Sequence, residues 1–434
     1  MGKRVEAFCV LVCMLLLWLA PLQATAVYAA DFSAGTDVRV GLQALYTKKN
    51  SLIITNTRIG LGYCENGTYR IEESLTGENG FVITSDKLYY YYSVETYRTR
   101  ATAEEAAAVV RAKGVPAVTV TVGRNSWRIY ACGADSMEAA KRYVDQKGSR
   151  TTEGISFGEV YFEDTAVQSP YTVRITGNDT ILADAAENFV YPQFSALTAD
   201  SAGAYIISLG TRSYRGRIEI GRYRKSSYVS AVNVLPLEDY LCGVVPCEMP
   251  AAWHLEALKA QAVCARSFAL LKAGYGGETN LSRGFDMDDT TDNQVYGGYG
   301  YETVQTNLAV AATKGQTVYY NNKRIMTYYF STSGGRTESA EDVWGKEFDY
   351  LRDVVDRYET QPARTPWIVS KTKAEIKAAL RNVGIDMESI TDIIEEITTV
   401  SGRVYSMRIK GAGRSYALQG TAVRDNTISK ISSC

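Results

Sequence analysis

The chain has 434 residues, in which 47 Lys and Arg nearly match 48 Asp and Glu, with one His and eight Cys. A chain of this length has room for about two to three domains with ordinary hydrophobic cores, and its near-zero net charge supplies no field to draw nucleic acid or an anionic lipid surface. Because His254 is the only histidine, a Ser-His-Asp or Cys-His mechanism would have to run through it, and a zinc site would need Cys and carboxylates almost alone. Acid–base chemistry therefore falls to carboxylates.

Residues 1–30 carry Lys3 and Arg4, then an apolar run from about Ala7 to Leu22, then small residues suited to cleavage between Ala26 and Ala30. This is the pattern of an export signal. The alternative is an uncleaved anchor, since the run falls just short of the ~20 residues of a spanning helix. No second apolar run of that length follows, so membrane contact is expected only through this segment and the rest is expected outside the cytoplasm. Beyond it lie Cys64, Cys132, Cys242, Cys247, Cys264 and Cys434, with no C-x-x-C spacing. Disulfides and buried free thiols both remain open.

Residues 31–87 form a β-rich segment, with VRVGLQALY, SLIITNT and TYRIEES as strands and KLYYYYS at its end, separated by turn signals such as ENG. Over 88–150 the pattern changes. TAEEAAAVVRAKG predicts a helix with Thr102 at its cap and Gly114 at its end, PAVTVTVG and SWRIYACG a strand pair around GRN, and SMEAAKRYVDQKG a second capped helix. The order is β-α-β-β-α, a compact α+β module.

Residues 156–240 return to strands: EVYFED, YTVRITG, AYIISLG, SYRGRIEIGRY and YVSAVNVLP. Then comes VVPCEMPAAWHLEALKAQAVCAR. Pro250 suits the first turn of a helix and the residues after it are strong helix formers, which predicts a helix from about Pro250 to Lys272 with His254 in its first turn. Glu248 would sit at the mouth of that helix, where the dipole favours its charge while Val245, Pro246 and Met249 favour its proton. A Gly/Asp-rich segment over 274–301, a helix in ETVQTNLAVAATKG, a strand pair TVYYNNKRIMTYYFS around Asn321 and Asn322, and the loop STSGGRTES follow. From PWIVSKTKAEIKAALRNVG to SGRVYSMRIKG the C-terminus adds a helix and more strands. Together these predict an α+β fold: a β-rich domain with a central helix after the E-M-P triplet, plus the small α+β module.

In order along the second half stand YRGRIEI, VNVLPLEDYLCGVVPCEMPAAWHLEALKAQAVCARSFAL, FDMDDTTDNQVYGGYGYET, AVAATKGQTVYYNNKRIMTYYFSTSGGRTESAEDVWG and YLRDVVD. In these the chain resembles the SpoIID/LytB family of bacterial sporulation and cell-wall proteins, over 156–434 and most strongly over 214–356. The module over 88–150, in its element order and in SWRIYACGADSMEAAKRY, resembles a SPOR domain, which binds peptidoglycan glycan strands stripped of their stem peptides. A generic ferredoxin-like insert is the alternative.

The resemblance implies an exported lytic transglycosylase that cleaves such denuded strands, with Glu248 of the E-M-P motif as its one catalytic acid/base. Without the resemblance Glu248 reads as a carboxylate satisfying a helix terminus. Gln261 and Arg266 on the following helix, Gln294 and Tyr296 of the Q-V-Y motif, Ser331, Ser333, Gly334, Gly335 and Thr337 of the glycine loop, and Trp344 are the substrate-binding candidates. The glycines would let backbone N–H groups approach a sugar, and Tyr296, Tyr328, Tyr329 and Trp344 would stack on sugar faces. Arg266, on the helix behind Glu248, could also orient or pair with a carboxylate. The bland readings are an exposed helix face, an ordinary turn and packed tyrosines. Glu238 and Asp239 read as a solvated pair and second candidates for a stabilising charge. FDMDDTTDNQVY lacks the His/Cys cluster that sporulation-branch members often place before Q-V-Y, and its Asp run does not fit a calcium loop, so no metal and no cofactor is expected. Two further readings stay open: a wall-binding enhancer of a separate N-acetylmuramoyl-L-alanine amidase, as in the LytB-like branch, and a structural glycan-binding protein.

Overall fold

A computed structural model describes residues 26–29, 37–65, 68–85, 89–93, 95–123, 126–134, 138–139, 151–152, 155–158, 172–176, 180–183, 192–221, 228–274, 284–359, 370–382 and 384–419. It is mixed α/β, with two compact units, Met1–Thr327 and Tyr328–Cys434. The expected strand EVYFED, most of the expected helix SMEAAKRYVDQKG and the export run Ala7–Leu22 lie outside the described residues. No helix among the described residues is long and apolar enough to cross a membrane. Ala26–Ala29, within the expected cleavage stretch, pairs antiparallel with Gln316–Tyr319.

Two large sheets organise the first unit. A seven-stranded sheet runs in the order Met287–Asp288, Asp37–Gly41, Ser230–Pro236, Arg217–Gly221, Gln193–Ala196, Arg58–Glu65 and Thr68–Thr76. An eleven-stranded sheet holds, in order, Thr151–Thr152, Ile155–Gly158, Tyr89–Ser93, Ser126–Ala134, Ala117–Gly123, Thr180–Ala183, Thr172–Thr176, Phe81–Ser85, Ser51–Ile54, Ile206–Leu209 and Arg212–Arg215. The strands of the 88–150 module thus share a sheet with strands on both sides of it in sequence. Between them runs α1 (Arg100–Ala112), whose N-cap is Thr99 rather than the expected Thr102; Thr99 accepts the Thr102 amide.

SYRGRIEI, expected as one strand, is two. It breaks at Gly216 (φ +73°), where a Cβ would lie 2.5 Å from the Val234 carbonyl oxygen, so only glycine fits the corner between the two sheets. The strand pair around Asn321 and Asn322 is shorter than expected, Gln316–Tyr320 with Lys323–Arg324, and both asparagines have positive φ, as a two-residue hairpin turn requires.

The helix expected from about Pro250 to Lys272 begins only at Leu255, and a second helix, not expected from the sequence, ends at Glu248. α2 (Leu237–Glu248) starts after Pro236 with Glu238 and Asp239 in its first turn, where the dipole favours negative charge. It stops at Glu248 because Met249 precedes Pro250 and is extended (φ −142°, ψ 131°); a residue before proline is pushed out of the helical region. α3 (Leu255–Lys272) begins only after a turn closed by the Trp253 amide on the Pro250 carbonyl, and its N-cap is His254, whose Nδ1 accepts the Glu256 amide at 3.2 Å. α4 (Val304–Ala312) is closed by a capping box between Thr303 and Thr306.

The core of this unit is continuous across sheets and helices. Val38, Val40, Ile218 and Ile220 of one sheet and Leu52, Ile54 and Ile207 of the other bury with Tyr240, Leu241 and Val244 of α2, Leu258, Ala262, Ala265 and Ala269 of α3, and Ala309 and Val310 of α4. The spacing on α2 and α3 is the three-to-four residue repeat of a core-facing stripe, and the alanines let α3 approach closely.

The second unit contains α5 (Ala340–Trp344), α6 (Lys373–Arg381) and an antiparallel sheet of Asp392–Thr398, Val404–Gly411 and Arg414–Gln419. Its own small core joins Leu380 to Met387, Ile390, Ile409 and Leu418.

Candidate functional site

Glu248 is the last residue of α2 and half-buried. It stands at the carboxyl end of one helix instead of the amino end of the next, so the sign of the nearest helix dipole is opposite to that expected. Its Oε1 accepts the Val295 amide at 2.7 Å. That bond joins the E-M-P and Q-V-Y motifs, far apart in the chain.

The Q-V-Y segment is fixed from behind. Gln294 is fully buried; its Oε1 accepts the Tyr240 hydroxyl at 3.2 Å and its Nε2 donates to the Ala265 carbonyl at 3.4 Å. Tyr296 is 1% exposed, and its hydroxyl donates to Asn233 Oδ1 at 2.7 Å, while Asn233 Nδ2 donates to the Arg215 and Arg217 carbonyls. The Tyr296 ring lies 5.1 Å from that of Tyr240 and covers Gly243, where a Cβ would come within 2.4 Å of it. The Gly297 amide closes the contact on the Gly243 carbonyl at 3.1 Å. A chain of buried polar contacts thus runs from the seven-stranded sheet through Tyr296 to Val295 and so to Glu248. Tyr296, expected to stack on sugar, is enclosed and supports the segment instead.

Arg266 pairs with a carboxylate, though not that of Glu248. Its guanidinium is 0% exposed and makes a two-pronged pair with Glu238, Nε to Oε1 and Nη2 to Oε2, each at 2.8 Å. The remaining donors meet the carbonyls of Gln316 at 3.2 Å, Val310 at 3.3 Å and Ala262 at 3.4 Å. Arg266 is neither an exposed helix residue nor a partner of Glu248, and Glu238 is its counter-ion rather than one of a solvated pair. Asp239 is half-buried, and burial raises its pKa, with Arg215 opposing. Gln261 is buried on α3, and its Nε2 has no hydrogen-bond partner among the described residues.

Burial holds both thiols of α2 in their protonated form. Burial, opposed by a backbone amide and reinforced by the charge of Glu248, pushes Cys247 up to about 11, and burial pushes Cys242 up to about 12. Cys64, Cys242, Cys247 and Cys264 are all free. Arg212, missed by the sequence reading, brings a cation whose charge acts on Cys247 and Asp289. No local signal marks it, since it lies on a strand well before the E-M-P motif. The Asp run is tied by its own chain: Asp288 accepts from the Thr290 hydroxyl at 2.7 Å and Asn293 at 2.8 Å, Asp289 from the Ala44 amide at 2.9 Å, and Asp286 from the Arg39 amide at 2.8 Å. Among the described residues no group of three or more His, Cys, Asp or Glu is placed to hold a metal ion.

The remaining candidates belong to the second unit. In the loop Ser331–Thr337 the amide N–H groups, expected to meet a sugar, are donated internally. That of Ser333 goes to Glu359 Oε2 at 2.7 Å, that of Gly335 to Ser333 Oγ at 3.1 Å and that of Thr337 to the Val354 carbonyl at 2.9 Å. The hydroxyls of Thr332 and Ser333 also donate to Glu359 and hold its pKa down at about 2. Ser333 is buried. Outside the loop, Trp344 (52% exposed) and Tyr328 (45%) set their rings 4.5 Å apart, leaving an accessible aromatic pair.

The model of the family described as Stage II sporulation protein matches residues 225–320, the stretch that carries α2, α3, Glu248 and the Q-V-Y segment. An amidase enhancer of Bacillus subtilis (strain 168) is 38% identical over 170 residues, covering 39% of this chain and 22% of that protein. Stage II sporulation protein D of the same organism is 36% identical over 174 residues, 38% of this chain and 50% of that protein. An uncharacterized protein of Brachyspira hyodysenteriae (strain ATCC 49526 / WA1) is 30% identical over 272 residues, 56% of this chain and 71% of that protein. The chain thus spans about a fifth of the amidase enhancer and half of the sporulation protein.

Proposed function

The chain belongs to the SpoIID/LytB family, and on that premise we propose that it is an exported lytic transglycosylase of the bacterial cell wall, cleaving peptidoglycan strands stripped of their stem peptides. The observation that carries this reading is the half-buried Glu248 whose Oε1 is anchored at 2.7 Å by the Val295 amide. Lytic cleavage needs no external water and only one carboxyl group. Glu248 gives its proton to the glycosidic oxygen as the C1–O bond breaks; the C6 hydroxyl of the same muramyl residue attacks C1 and closes a 1,6-anhydro ring; the Glu248 carboxylate takes the hydroxyl proton and is reset. Ordinary hydrolysis by paired carboxylates would need a second group at a fixed separation.

In this reading Gln294 and Tyr296 are positioning residues that hold Val295 against Glu248, and Arg266 and Gln261 belong to the buried frame of α3. Trp344 and Tyr328 offer sugar faces a stacking surface on the second unit, and residues 88–150 form a SPOR-like glycan-binding module within 1–327. The test is product analysis. Incubated with amidase-stripped peptidoglycan, the protein yields 1,6-anhydro-muramyl ends by mass spectrometry and Glu248→Gln yields none; equal yields would sink the assignment.

The likeness to an amidase enhancer favours one second reading, a non-catalytic wall-bound enhancer of an N-acetylmuramoyl-L-alanine amidase. It is supported if a purified amidase is stimulated equally by the protein and by Glu248→Gln, with no anhydro ends from either.

A further inference from the structure

Thr55, Asn56, Thr57 and Arg58, between and at the ends of the strands Ser51–Ile54 and Arg58–Glu65, line an open cavity of about 350 Å³ together with Thr198 and Ser208. It shares no residue with the Glu248 site. Asn56 and Thr55 are tied to the strand Ile206–Leu209. Asn56 Nδ2 donates to the Ile206 carbonyl at 3.0 Å, Asn56 Oδ1 accepts the Ser208 amide at 2.7 Å, and the Thr55 amide donates to the Ser208 carbonyl at 3.0 Å. With the Asn56 amide committed, the groups left to meet a ligand are the threonine hydroxyls and the guanidinium of Arg58.

Arg58 is exposed, and among the described residues no carboxylate pairs with it. No aromatic or aliphatic side chain lines the cavity, so it is not built for stacking. A bowl of hydroxyls with one fixed positive charge suits a hydroxylated anion, that is, a sugar bearing a carboxylate.

We propose that this cavity binds the lactyl carboxylate of a stripped muramyl residue, with Arg58 as its counter-ion and the threonine hydroxyls on the sugar. The inference rests on the glycan reading above and supplies a physical basis for preferring stripped strands. Hydrolysis of the muramoyl–L-alanine bond leaves the lactyl group as a free carboxylate, whereas an intact stem peptide leaves it as a neutral amide. A guanidinium separates the two by charge.

The test is calorimetric titration of the full chain, in the Glu248→Gln background to prevent turnover. The probes are the tetrasaccharide of alternating N-acetylglucosamine and N-acetylmuramic acid as free acid and as its methyl amide. The acid is expected to bind about ten-fold more tightly than the amide, with Arg58→Gln bringing the acid to the level of the amide and Arg58→Lys recovering part of the difference. Because Arg58 is exposed, both variants keep the melting temperature. Equal binding of acid and amide, or a preference for the acid that survives Arg58→Gln, overturns the proposal. Anhydro products without Arg58-dependent binding would remove this inference alone, and Arg58-dependent binding without anhydro products would remove the transglycosylase reading alone.

Discussion

Glu238→Ala tests whether Arg266 is part of the frame or part of the chemistry. The substitution leaves a guanidinium that is 0% exposed without its counter-charge. Breaking a buried pair from one side costs about 3–5 kcal/mol. The Glu238 side chain keeps 26% exposure and three carbonyls stay on the guanidinium, so the lower end applies, about 3 kcal/mol. At roughly 1.5 °C per kcal/mol for a unit that runs from Met1 to Thr327, the midpoint of the first unit falls by about 4–5 °C. Scanning calorimetry reads this directly, and where two transitions resolve, only that of the first unit moves. Exchanging both members for apolar residues of similar volume is expected to restore most of the loss, because no orphaned charge is left. A melting temperature for Glu238→Ala within about 1 °C of the unaltered protein would refute the reasoning, since it would mean the pair contributes nothing that water does not replace.

Gly243→Ala places a methyl group 2.4 Å from the Tyr296 ring; overpacking of this kind costs about 1–3 kcal/mol, and because the shift falls on the segment that carries the Val295 amide, any glycan cleavage should drop further than the melting temperature implies. Asp286 is pushed up to about 6 by burial, opposed by the backbone amide and charge of Arg39. The folded chain therefore binds more protons than the unfolded chain between about pH 4 and 6, so this group's contribution is complete below that window and lost as pH rises through it, roughly 3 kcal/mol in all. Asp286→Asn is expected to flatten that part of the stability–pH curve in urea titrations; an unchanged slope would contradict it.

The strands were legible where one face is buried. VRVGLQALY and SLIITNT alternate, and their inward residues Val38, Val40, Leu52 and Ile54 are buried. RIGLGYCE, over Arg58–Glu65, went unread as a strand because glycines at 60 and 62 interrupt its alternation, and its place between two partners is a matter of sheet pairing. The helix expected from Pro250 starts only at Leu255 because Pro250 carries two local messages. It is welcome in the first turn of a helix, yet it also forces the residue before it out of one, and α2 already occupied the stretch up to Glu248.

By itself the sequence determined the motifs, their order and the scarcity of histidine, and hence the expectation that any acid–base chemistry falls to a carboxylate, because these depend only on which residues are present and how they are spaced. It could not determine partners. Whether Arg266 faces solvent or Glu238, whether Tyr296 offers its ring or hides it, and which amide holds Glu248 are questions of contact between segments far apart in the chain. Close packing of α2, α3 and the sheet beneath them decided all three: burying a guanidinium obliges the fold to supply a carboxylate, and seating a tyrosine ring over Gly243 brings the neighbouring Val295 amide onto Glu248.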